Sequence, residues 1–161
     1  MEELVQMLIK NNKTISVMES CTGGMLANEI TNINDASKVF NYGVVTYSNE
    51  AKNKLLGVKL HTLKQYGAVS TQTAMEMAEG VKKVSGADIG ISVTGIAGPT
   101  GDTKDKPLGL TYIGVSYKGV VKSYKFIFKG DRNKNRELAA NNALNIARLT
   151  ILGKDVVNDL H

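Results

Sequence analysis

Apolar residues along this chain recur with two periods, and the change from one to the other lays out its elements. Leu4, Met7 and Leu8 stand at helical spacing near the N-terminus, and Ile15 and Val17 then alternate in a short strand that stops at Glu19. Leu26, Ile30 and Ile33 recur at i, i+4 and i+7, predicting a helix opened by Gly23 and Gly24. "KVFNYGVVTYS", rich in β-branched and aromatic residues, predicts a second strand. Ser48 is placed to cap the helix after it, with Glu50 favourable in the first turn and Lys52 one turn past the strand end.

A short helix is expected over 60–66. A longer one follows in "STQTAMEMAEGVKKVSG", with Ser70 as cap and Gly86 as stop. "ADIGISVTG" predicts a strand with Ile89, Ile91 and Val93 on one face, running into the glycine-rich "GIAGPTGDTKDKPLG". Two β-rich runs then flank a Lys118-Gly119 turn, and Val120, Lys122, Tyr124, Phe126 and Phe128 share one face of the second run. Asp131 should cap a last helix carrying Leu138, Leu144, Ile146 and Leu149. These elements predict an α/β fold: one domain over 1–161, with a mixed sheet flanked by helices and a late hairpin adding antiparallel pairing.

Composition agrees with one folding unit. A chain of 161 residues with 42% hydrophobic and 22% charged residues can build a core without disulfides or long disordered tracts. One cysteine makes no intramolecular disulfide, which suits a reducing compartment. The start "MEELVQMLIK" lacks the basic opening of a signal peptide, and no apolar run approaches the ~18 residues of a membrane span. A cytoplasmic protein with no membrane partner is expected. The net charge of +5 suits an anionic partner, and basic residues thicken from Lys118 to Arg136, where a solvated face is the plainer reading.

Inspection removes many chemistries. HExxH, paired CxxC, an EF-hand loop and GxxxxGK[ST] are all missing, so neither a metal nor a P-loop nucleotide site is expected. "GIAGPTG" has the spacing GxxGxxG rather than GxGxxG. GxSxG is absent, and the two histidines, His61 and His161, lie away from the strand-end loops. A serine nucleophile here would need another base. Lysine can serve once burial lowers its pKa, since only the neutral amine accepts a proton.

"ESCTGG" at 19–24 places Ser20 and Cys21 between a strand and a helix whose first N–H groups could hold an anion. Lys52 lies just past another strand end, and Tyr47, read as the end of that strand, could orient the lysine or relay a proton. The plain alternatives are that Ser20 or Thr22 is a helix cap, Lys52 a solvated lysine and Cys21 a small packed side chain. Thr94, Gly95 and Gly98 could cradle an anion or only make a turn. Arg132, one residue into its helix, could reach an anionic ligand or only make a surface ion pair.

"MESCTGG", "NYGVVTYSNEAKNKLLGV", "YGAVSTQTAMEMAEG", "SVTGIAGPTG" with "KPLG", and "FKGDRN" together resemble, in order and over 18–133, the CinA C-terminal domain family, whose standalone members include nicotinamide mononucleotide amidohydrolases. The resemblance implies a CinA C-terminal-like fold and deamidation of nicotinamide mononucleotide to nicotinate mononucleotide and ammonia, without metal or cofactor. It implies Ser20 as nucleophile, Lys52 as its base and Tyr47 as an assisting group. It gives Thr94 and Gly95 to the oxyanion or ligand and Arg132 to the nucleotide phosphate, with Thr22, Gly23 and Ser37 as further substrate-binding positions.

A small-molecule nucleotide partner follows, as does a homo-oligomer through the "VVKSYKFIF" hairpin that completes the site across subunits. The pyrophosphatase of longer CinA proteins is not carried over, since their N-terminal domain is not expected here. The rival reading is a non-catalytic nucleotide-binding module of the same fold. A nucleic-acid binder using residues 118–136 is disfavoured by the lack of clustered aromatics or a recognised binding motif.

Overall fold

A computed structural model describes residues 2–159. His161 lies outside the described residues. The chain runs α1 (Glu2–Lys10), β1 (Ile15–Glu19), α2 (Met25–Thr31), a 3-10 turn (Ala36–Lys38), β2 (Phe40–Val45), α3 (Asn49–Leu56), α4 (Leu60–Tyr66), α5 (Thr71–Ser85), β3 (Ile89–Gly95), β4 (Leu110–Tyr117), β5 (Val120–Ile127), α6 (Arg132–Ile151) and α7 (Val156–Asp159). The strands form one mixed sheet in the order β2-β1-β3-β4-β5. β1 pairs in parallel with β2 and β3, while β3-β4 and β4-β5 are antiparallel.

Each face of the sheet has its own cover. Ile15, Val17, Ile89, Ile91, Val93, Ile113 and Val115 point to the larger core, packed under α1, α2 and α6. Met18 joins Leu56, Val58, Leu63, Met77 and Val81 in a second core under α3, α4 and α5. The alternation read in β3 is therefore real, but its second face is also buried. There the strand carries Gly90, Ser92 and Thr94, because the backbone of α5 lies close on the sheet. A Cβ at Gly90 would fall 2.1 Å from the Ala78 carbonyl oxygen and one at Gly114 would fall 2.2 Å from that of Ala74. The Ser92 hydroxyl donates to Ala74 O at 2.6 Å.

Three predicted caps form as expected: Ser48, Ser70 and Asp131 accept from the N–H groups of Ala51, Thr73 and Lys134. The predicted turn is a two-residue hairpin with Lys118 and Gly119 both at positive φ, which matches the twist of the strands it joins. Its outer arm, β5, is a sheet edge on which Val120 and Ile127 are about half exposed. Two boundaries differ from the sequence reading. α2 ends at Thr31, so Ile33 packs from the following loop, and β2 ends at Val45, two residues before Tyr47. Among the described residues no helix is long and apolar enough to cross a membrane.

Strand order alone marks one place for a site. From β1 the chain goes to β2 on one side, and β3 lies on the other, so the crevice beyond the carboxyl end of β1 is the switch point of the parallel part. Ser20 is the first residue past that end.

Candidate active site

Two hydrogen bonds fix the backbone around Ser20. Its N–H donates to Val93 O at 3.0 Å, tying it to β3, and Thr46 N–H donates to Glu19 O at 2.8 Å, tying the end of β2 to the end of β1. On the β2 side the Ser48 cap starts α3 so that Lys52 and Leu56, four residues apart, share its buried face. Lys52 is 1% exposed. Its Nζ donates to Thr46 O at 2.7 Å and lies 3.1 Å from Ser20 Oγ. Among the described residues no carboxylate pairs with it, and burial pushes its pKa down to about 8, against a weaker upward pull from Cys21. An amine of this kind is neutral in roughly a tenth of molecules at pH 7 and about half at pH 8, far more than an ordinary lysine, with a lone pair available to a serine hydroxyl in contact.

Cys21 is buried, and that burial pushes its thiol up to about 11. It is therefore held as a thiol, a poor nucleophile, in keeping with the small packed side chain that the sequence offered as its plain reading.

The first turn of α2 is already occupied. Glu19, 1% exposed, accepts from the N–H groups of Gly24, Leu26 and Ala27 at 3.0, 3.1 and 3.0 Å. The expectation that these N–H groups face an oxyanion is corrected by this carboxylate. Neither Ser20 nor Thr22 caps the helix, and the Gly23 N–H closes the turn by donating to Ser20 O at 3.1 Å. Thr22 is fully buried, and among the described residues its Oγ1 has no partner; the same holds for Thr46 Oγ1 on the β2 side.

The remaining candidates divide by position. Tyr47 is 63% exposed and its hydroxyl accepts from Arg132 Nη2 at 3.1 Å, so the group orienting Lys52 is the Thr46 carbonyl rather than the tyrosine. Arg132 also donates through Nη1 to Gly98 O at 2.7 Å, which places an exposed guanidinium between the β3-β4 loop and the end of β2. Thr94 is buried and its hydroxyl donates to Ala68 O at 2.8 Å. Gly95 is required by β4: a Cβ there would lie 2.7 Å from Thr111 Oγ1 and 2.8 Å from Leu110 O.

Ser37 lies in the 3-10 turn before β2, whose first residue pairs with the start of β1. Within one chain that is the far end of the sheet from Ser20. His61 is exposed on α4, as expected. Among the described residues no cluster of three His, Cys, Asp or Glu side chains could hold a metal ion.

The sequence reading missed Glu19 and Arg136. Glu19 has a signal in hindsight, since a helix opening on two glycines has no side chain of its own to cap it. Arg136, taken as part of a solvated basic run, instead donates from Nε to Cys21 O at 3.0 Å and from Nη2 to Thr22 O at 2.9 Å. Its signal is its spacing, one helical turn beyond Arg132.

Comparison with known proteins places this arrangement. The family described as the CinA C-terminal domain matches residues 1–151. A competence-damage inducible protein of Thermoanaerobacter sp. (strain X514) is 54% identical over 154 residues, covering 95% of this chain and 37% of the relative. A CinA-like protein of Kosmotoga olearia is 52% identical over 151 residues, covering 94% of this chain and 37% of the relative. The chain thus spans little more than a third of the length of these relatives. Among solved structures, a CinA superfamily protein from Klebsiella pneumoniae superposes with a TM-score of 0.90 at 31% identity, covering 94% of this chain and 98% of that one.

Proposed function

The chain belongs to the CinA C-terminal domain family, and from that premise we propose that it hydrolyses the carboxamide of nicotinamide mononucleotide to nicotinate mononucleotide and ammonia, with Ser20 as nucleophile and Lys52 as general base. The observation that carries the reading is a fully buried lysine, without a carboxylate partner among the described residues, 3.1 Å from a serine hydroxyl at the switch point of the sheet.

Neutral Lys52 takes the Ser20 proton as Oγ bonds to the carboxamide carbon, and the carbonyl electron pair moves onto oxygen. As the tetrahedral adduct collapses, the protonated lysine gives its proton to the departing nitrogen, which leaves as ammonia. Water then attacks the acyl-serine ester, its proton goes through Lys52 back to Ser20 Oγ, and the carboxylate product is released. The Thr46 carbonyl favours the ammonium that forms between these steps, because it accepts from Nζ at 2.7 Å. Arg132 supplies an exposed cation for the nucleotide phosphate, which would replace its present contact with the Tyr47 hydroxyl.

Ammonia release from nicotinamide mononucleotide, its riboside and free nicotinamide, measured with the native protein, Ser20→Ala and Lys52→Met, tests the reading. The expected result is release from the nucleotide by the native protein and loss of at least about 1,000-fold in either variant. Tight nucleotide binding with no ammonia from the native protein would instead identify a non-catalytic binding module.

A further inference from the structure

The loop that presents Ser20 is held from α6. Arg136 grips the Cys21 and Thr22 carbonyls, and a Cβ built on Gly23, whose φ is +59, would lie 3.3 Å from its Nη2. Peptide planarity carries this grip to the nucleophile. The Thr22 carbonyl shares a peptide with the Gly23 N–H, which points the opposite way and donates to Ser20 O at 3.1 Å. The Ser20 carbonyl, so held, shares a peptide with the Cys21 N–H, which is turned the opposite way in its turn. Among the described residues the Cys21 N–H has no backbone acceptor, and its one contact is with its own Sγ, a weak acceptor that a substrate oxyanion would outcompete. The N–H groups of Gly24, Leu26 and Ala27 are taken by Glu19, and those of Gly23 and Met25 by the Ser20 and Thr22 carbonyls, which leaves Cys21 and Thr22 as the loop's donors without a backbone acceptor among the described residues. Of the two, the Cys21 N–H belongs to the residue bonded to the nucleophile.

We propose that Arg136 is a positioning residue that acts through the Thr22-Gly23 and Ser20-Cys21 peptides. It fixes the Cys21 N–H as the donor to the oxygen that becomes anionic when Ser20 attacks. This rests on the amide hydrolysis proposed above. When the Ser20 Oγ–carbon bond forms and the proton passes to Lys52, the carbonyl π pair becomes an oxyanion lone pair, and a donor aimed beforehand stabilises it without reorganisation. A guanidinium suits the task because two of its N–H groups reach adjacent carbonyls at once, which a single ammonium cannot match in geometry.

The test is steady-state kinetics on Arg136→Met, Arg136→Lys and Arg136→Ala, with thermal unfolding followed in parallel and Arg132→Met as a comparison. Arg136→Met and Arg136→Lys should each lower kcat about 100-fold with KM within about twofold. Arg132→Met should act mainly on KM. Guanidinium ion, but not ammonium, should restore part of kcat in Arg136→Ala, a rescue that reads out the role even if Arg136→Met folds poorly. The inference is overturned if native protein is active and kcat of the variants stays within about threefold of it. It is equally overturned if the loss tracks only the unfolded fraction, so that the folded, titrated sites turn over at the native rate. A native protein that releases no ammonia would sink the amidase reading itself, an outcome visible before any Arg136 variant is assayed.

Discussion

Lys52 and Lys13 stand at opposite ends of the same parallel strands, and their partners make them different groups. Lys13, before β1, pairs with Asp88, before β3, at 2.9 Å, with both side chains about one-third exposed. The hydrogen bond that Lys13 donates to Asp88, and then the carboxylate's charge, hold the lysine above its ordinary pKa. Burial pulls the aspartate upward, but hydrogen bonds from Lys13 and Thr14 and the lysine's charge leave it below its ordinary value. Among the described residues Lys52 meets a carbonyl and a hydroxyl and no carboxylate, so burial acts almost alone and drives it down to about 8. A lysine at a strand end becomes a clamp when it is given an acid, and a base when it is denied both acid and water.

The largest expected effect follows from removing each lysine in turn. Lys52→Met should lower turnover by at least about 1,000-fold, whereas Lys13→Met should leave it unchanged; ammonia release from folded protein measures both. Lys52→Arg should be as inactive as Lys52→Met, because a guanidinium does not deprotonate at any working pH.

Next comes an attempt to turn the base into the clamp. Cys21 lies near enough to Lys52 that a charge at its side chain is felt by the amine, so Cys21→Asp brings a carboxylate close and should raise the lysine's pKa. The native rate should rise with pH and level off above about 8, the range in which Lys52 is neutral. In Cys21→Asp that rise should move upward by about one unit or more, and a pH-rate profile reads the shift directly. Cys21→Ala should keep native turnover; loss of activity in a folded Cys21→Ala protein would return the thiol to candidacy.

Stability should separate the two lysines with a smaller signal. A lysine whose folded pKa lies below its unfolded value binds fewer protons in the folded state, so stability rises with pH between the two. For Lys52 that window runs from about 8 to 10.5, and the penalty below it is on the order of 3 kcal/mol. Lys52→Met should therefore melt above the native protein at pH 7, with the gap narrowing toward pH 10. The smallest effect belongs to Asp88→Asn, which should weaken the clamp slightly and leave turnover alone, as melting and ammonia release together would show.

Much of this was legible in the sequence because the deciding residues carry local signals. Periodicity placed the strands, and Ser48, Ser70 and Asp131 announced helix starts whose caps form as read. Ser20 and Lys52 stood at strand ends that an α/β sheet brings to one edge, and they do meet. What stayed hidden depends on backbone groups and long-range reach. The Thr46 carbonyl that holds Lys52 has no side-chain signature, and Arg136 crosses 115 positions to Cys21. Tyr47 was expected to serve the lysine both from the family resemblance and as the residue read to end β2. With the strand ending at Val45, the ring faces solvent and Arg132.

The central claim is that Lys52 titrates near 8, so that a usable share of it is neutral amine at working pH. Its ε-amine can be followed by NMR through a pH titration of the free protein, with Lys52→Met used to assign the signal. A midpoint near 8 that coincides with the kinetic pKa is the predicted result. A midpoint near the ordinary lysine value of about 10.4 would contradict the account, since Ser20 would then face an ammonium with no lone pair to offer.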